Sequence, residues 1–153
     1  MFIVHTAVLK VHIFRKINIV EMNNKNFIND LEQPIGERVS NWTKRQVSPR
    51  TEMEGQYCFI DVLNVEEHVA DLFNAFSKDI NNQDWTYLPY GPFETQKEFE
   101  EWLQKECTGN DPLFHTIIDR NNNKPIGMVS YLRINNKDGV IEVGHIHYSI
   151  LMQ

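Results

Sequence analysis

Three β-rich segments follow one another in the last third of the chain, and they constrain the fold most. Residues 113–119 (LFHTIID), 125–134 (PIGMVSYLRI) and 140–149 (VIEVGHIHYS) are dense in β-branched and aromatic residues, the composition of strands. Asn121-Asn122-Asn123-Lys124 separates the first two, and residues 135–139, ending in Asp138-Gly139, separate the second and third. Both are hairpin compositions, because Asn, Asp and Gly tolerate the left-handed backbone of a tight reversal. Connections this short leave no room for a crossover helix, so the segments must form an antiparallel meander. Ile117 beside Ile118 and Met128 beside Val129 place apolar groups on both faces, so both faces are expected to be covered.

Upstream, residues 57–63 (YCFIDVL) predict one more strand. Asn64, with Glu67 three residues on, predicts a capped helix start. Val69, Leu72, Phe73 and Phe76 then give a single apolar stripe. Thr95 and Glu98 form a second capping-box pattern, ahead of a helix that buries Phe99, Trp102 and Leu103 and stops near Gly109 and Pro112. The order strand, helix, helix, three-stranded meander is an α+β class.

The 153 residues carry 15 Lys+Arg against 21 Asp+Glu, a net charge of −6. That length predicts one domain with a real core. An acidic balance without a basic block argues against nucleic acid as partner, and no apolar run approaches the ~18–20 residues of a membrane span. Two cysteines, Cys58 and Cys107, are too few for a secreted disulfide scaffold and read as reduced cytoplasmic thiols. Residues 1–21 read as an extension outside the fold, since an apolar stretch broken by His5, Lys10, His12, Arg15 and Lys16 lacks the layout of a signal peptide. Met22 then reads as the natural start, residues 22–56 as an N-terminal arm, and residues 57–153 as the domain.

Gln33-Pro34-Ile35-Gly36 with Val39 and Trp42, Trp85-Thr-Tyr-Leu-Pro-Tyr-Gly-Pro-Phe93, Pro125-Ile-Gly-Met128 and Ile141-Glu-Val-Gly-His-Ile-His-Tyr-Ser149 resemble the first half of the GNAT acetyltransferase superfamily. The match is strongest to the branch of ribosomal-protein N-terminal alanine acetyltransferases. The resemblance implies the N-terminal half of a mixed, mostly antiparallel sheet with flanking helices. It also implies acetyl transfer from acetyl-CoA to an amine acceptor. Such enzymes follow the last of these strands with a (Gln/Arg)-x-x-Gly-x-(Gly/Ala) loop that holds the CoA pyrophosphate on backbone N–H groups. The seven glycines here (36, 55, 91, 109, 127, 139 and 144) include no pair two apart. The resemblance therefore implies a domain cut before that loop, whose exposed last strand is open to self-association. A non-catalytic remnant pairing through that edge is the alternative to an enzyme.

Acetyl transfer needs a base for the amine, a donor for the oxyanion and an acid for the thiolate. Glu142, His145 and His147 are the candidates for the base, each also readable as a polar group paired inside a sheet. Plain alternation places His145 and His147 on one face with Val143 and Ser149, and Glu142 and Tyr148 on the other. His145 and His147 alone are two ligands and make no metal site. The resemblance assigns the main chain of Tyr148, Ser149 and Ile150 to the pantetheine arm. It assigns Trp85, Tyr87, Tyr90 and Phe93 to a wall of the acceptor pocket, where the other reading is a rigid plug at the end of the core. His115 is expected to be a satisfied core residue, His68 to be solvated on its helix, and neither cysteine to be a nucleophile. Glu94, Glu98, Glu100, Glu101 and Glu106 form an acidic helix surface, solvated or able to draw in a cationic amine.

Overall fold

The computed structural model describes residues 27–46 and 50–152. The extension over residues 1–21 and the start at Met22 lie outside the described residues. The described chain divides between Trp42 and Thr43 into two compact units. In the first, β1 (Phe27–Ile28) and β2 (Pro34–Ile35) pair antiparallel. Asn29 organises their turn, its Oδ1 accepting the N–H groups of Leu31 and Gln33 at 3.0 Å, a short-range role that asparagine favours.

The second unit is built on a five-stranded sheet of order β3-β4-β5-β6-β7, antiparallel at every ladder. Its strands are β3 (Met53–Glu54), β4 (Cys58–Val62), β5 (Leu113–Asp119), β6 (Lys124–Asn135) and β7 (Val140–Tyr148). The α+β class and the three-stranded meander are thus as the sequence predicts. β3 joins the sheet from within residues 22–56, and Arg120 fastens it, reaching Glu54 at 2.7 Å and the Gly55 carbonyl at 2.8 Å. Among the described residues β7 closes the sheet on one side, with no strand beyond it. No helix of the described residues is long and apolar enough to cross a membrane.

Helices α1 (Val65–Phe76) and α2 (Gln96–Glu106) pack with Phe114 and Met128 into one core that includes Leu72, Phe76, Phe99 and Leu103. α2 starts on the capping box that Thr95 and Glu98 predict. α1 does not use Asn64 in that way. The Asn64 side chain makes no cap bond; its backbone N–H instead donates to His68 Nδ1 at 3.2 Å. His68 is accordingly buried rather than solvated, with Nδ1 also 2.9 Å from Thr116 Oγ1. Its position explains this, since residues 65, 68, 69, 72 and 76 are one helical face.

The first five residues of β5 are all buried, so apolar groups of both parities are covered. On the parity opposite Phe114, His115 is buried edge-on to Tyr131 at 5.5 Å between centroids. Its Nε2 has no hydrogen-bond partner, but the ring also hydrogen-bonds the Leu113 backbone, so it is a core residue satisfied in part.

Candidate functional site

The site candidates converge on β7, and their faces follow from its pairing with β6. Residues directly opposite in a ladder share a face. Tyr148 stands opposite Gly127 and His147 opposite Met128, yet Gly144 stands opposite Ser130. Three residue steps along β7 thus match two along β6, which is a β-bulge. His145 sits in it with φ 49°, a left-handed conformation that few side chains other than Asn, Asp and His adopt readily.

The bulge changes the parity of the strand. Below it, Glu142 and Gly144 face as Leu132 and Ser130 do; above it, His147 faces as Met128 does. All are on the side of the helices, because Met128 belongs to the helical core. The His145 ring lies on that side too, 5.2 Å from Phe114. Plain alternation splits Glu142 from the two histidines. The structure brings the three together and sends Val143, opposite Tyr131, and Tyr148 to the other face.

The three side chains nevertheless meet different surroundings. His147 is buried, its ring parallel to Phe76 at 3.8 Å and edge-on to Trp85 at 4.1 Å. Burial pushes its pKa down to about 4, and its Nε2 has no hydrogen-bond partner. A neutral imidazole in a dry aromatic slot serves as packing before it serves as a base. His145 is half-buried and stacks on Tyr90 at 5.6 Å. Burial lowers its pKa as well, opposed by the charge of Glu142. Glu142 accepts a hydrogen bond from Arg133 at 2.8 Å, and both side chains reach solvent.

Three of the four aromatic residues of the interhelical block form the wall beside these groups. Trp85 is buried between Phe93 (5.6 Å) and His147. Tyr90 bridges Trp102 (4.3 Å) and His145. Gly91 makes this possible: a Cβ there would stand 2.3 Å from the Trp85 ring, at φ +71°. Tyr87 is 97% exposed and stands apart from that wall. On the outer side of Phe93 and Trp102 an open cleft of about 410 Å³ is lined by Glu98, Glu101, Lys105 and Glu106.

Of the three residues assigned to the pantetheine arm, Tyr148 ends β7 and Ser149 donates its N–H to the Ile126 carbonyl at 3.1 Å. Ile150 opens a 3₁₀ turn, Ile150–Met152. The Ser149 side chain is buried, with no partner for Oγ. Cys107 is buried and Cys58 partly so, and burial raises the pKa of both thiols, which makes them poor nucleophiles. Among the described residues no three or more His, Cys, Asp and Glu side chains group to hold a metal.

Sequence reasoning missed the bulge and Arg133, although the strand signals the former. After Val140 at its start, the exposed apolar residues of β7 fall at 141 and 143, then at 146 and 148. Their period of two slips by one residue beside Gly144.

No family model matches the chain, and no curated protein does. Solved structures do. A GCN5-related N-acetyltransferase from Brucella melitensis is 38% identical, with a TM-score of 0.71 over 74% of this chain and 51% of that one. A probable acetyltransferase of the GNAT family from Chromobacterium violaceum ATCC 12472 is 26% identical, with a TM-score of 0.68 over 78% of this chain and 59% of that one. The chain therefore spans about half the length of these structures. Its antiparallel sheet and two helices match the GNAT fold, and its structural neighbours are GNAT-family N-acetyltransferases.

Proposed function

We propose that this chain supplies the acceptor side of an acetyl-CoA-dependent N-acetyltransferase. The observation that carries the reading is the bulge at His145, which sets Glu142 and His145 on one face of the sheet, with the His145 ring against Tyr90 of the aromatic wall. Acetyl-CoA is the second substrate, and its pantetheine arm runs along the outer edge of β7 at Tyr148, extending the sheet as an added strand would. Ser149 and Ile150 fix the end of that edge.

An alkylammonium with a pKa near ~10 is not a nucleophile at neutral pH. Glu142 takes its proton, directly or through water. The free nitrogen then attacks the thioester carbonyl carbon and a C–N bond forms; as the C–S bond breaks, the thiolate leaves and takes up the second proton that the nitrogen gives up. His145 orients the acceptor and shares the base role. His147 holds the strand against Trp85 and Phe76, and Trp85, Tyr90 and Phe93 exclude water from the reacting nitrogen. Carboxylates near Phe93 and Trp102 favour a cationic acceptor. That suits a protein N-terminus, the acceptor of the ribosomal-protein alanine branch, or a small primary amine.

The test is acetyl transfer by the intact protein from acetyl-CoA to a panel of N-terminal peptides and small amines. Glu142→Gln should lower kcat/KM by roughly 10²–10⁴-fold. If no amine on the panel is acetylated, the enzyme reading fails. One observation favours a second reading, association through the edge of β7, where Val140, Ile141, Val143 and Ile146 are exposed. Sedimentation of the chain and of a Val143→Lys variant tests it, a shared monomeric state counting against it.

A further inference from the structure

Among the described residues two in strands have a positive φ: His145 in β7, and Arg133 in β6 at φ 51°. Arg133 also sits in a register shift, between Leu132 and Asn135. Leu132 faces with Glu142, so plain alternation would turn its neighbour Arg133 to the opposite face. The irregularity returns it, and Arg133 Nη1 reaches Glu142 Oε2 at 2.8 Å. Opposed bulges thus bracket one carboxylate. Between the two bulges Gly144 admits the Leu132 side chain, since a Cβ there would lie 2.8 Å from Leu132 Cδ2, while Glu142 Oε1 would be in ordinary contact at 3.7 Å.

We propose that Arg133 is a built-in competitor for the acceptor's ammonium group, holding the cation position on Glu142 until a compact primary ammonium exchanges for it. The proposal rests on the acetyltransferase reading of Glu142. An ion pair whose side chains are 75% and 44% exposed is weak and readily exchanged. A guanidinium is also a suitable placeholder. It stays protonated at any ordinary pH and so cannot become the nucleophile, whereas an alkylammonium in the same place can give up its proton.

Binding without turnover tests this on the full chain. The probe is alaninamide, a small primary ammonium, with N-acetylalaninamide as the uncharged control and calorimetry as readout. Arg133→Asn removes the cation yet suits the left-handed backbone. It should tighten alaninamide binding about two- to fivefold, the range an exposed ion pair can account for. Arg133→Lys should stay near the parent, and Glu142→Gln should abolish binding in either background. Arg133→Asn binding alaninamide equally or more weakly overturns the proposal, as does no binding to any form. An amine that exchanges with Arg133 yet is never acetylated would remove the reaction and leave the cation site standing.

Discussion

His145 and His147 lie two residues apart on one strand, both with rings against aromatic partners on the helical side of the sheet. The first is half-buried, left-handed in its backbone and next to a carboxylate. The second is buried between Phe76 and Trp85 with an unpartnered nitrogen. Identical chemistry thus yields an adjustable polar group in one place and a core ring in the other. The bulge makes the difference, because it lets a strand anchored in the core at one end present a working surface at the other.

The largest effect expected from breaking this contrast is at Phe76. Phe76→Ala opens a cavity under His147 and should destabilise the chain by about 3–5 kcal/mol in urea unfolding. The His147 pKa should rise toward its ordinary value, seen by NMR titration, while that of His145 barely moves. Next comes acid. The His147 pKa is depressed in the fold, to about 4 against an ordinary 6.5, so the unfolded chain binds the proton first. Its contribution is complete above pH 6.5 and is lost as pH falls from 6.5 to about 4. The loss is about 3 kcal/mol at 1.36 kcal/mol per unit. Burial depresses His68, His115 and His145 in the same direction, so His147 must be isolated by substitution. His147→Phe keeps the stack and removes the orphaned nitrogen. It should hold stability within about 1 kcal/mol at neutral pH and flatten the acid slope, whereas an unchanged slope would assign it to the other histidines. The smallest effect is at His145, where the left-handed backbone should make Gly more stable than Ala by roughly 1 kcal/mol, measured by thermal melts of the two variants.

How much of this was legible depended on whether the signal was local. Asn121-Asn122-Asn123-Lys124, Asp138-Gly139 and the Thr95–Glu98 box act within a few residues, and the hairpins and α2 formed where they predicted. Asn64 and Glu67 offered the same local signal and lost it to a competitor four residues on, the ring of His68, which the core had already drawn inward. β3 is two residues long and owes its place to the clamp of Arg120, 65 positions from Gly55, a contact no window of sequence contains. The candidate residues of β7 were visible as polar groups on an apolar strand, but their grouping depended on a register that only pairing with β6 defines. Arg133 reads in sequence as an ordinary surface cation, and only its backbone conformation sets it apart.

Counting along β7 gives the bulge a further meaning. With residue 145 deleted, Gly144 would follow straight on to Ile146, and the pairs Gly144–Ser130 and His147–Met128 would fall into one unbroken register. Every remaining side chain would keep its orientation. His145 is therefore the one residue by which β7 exceeds an even pairing at this end of the ladder, and a single codon separates the two registers.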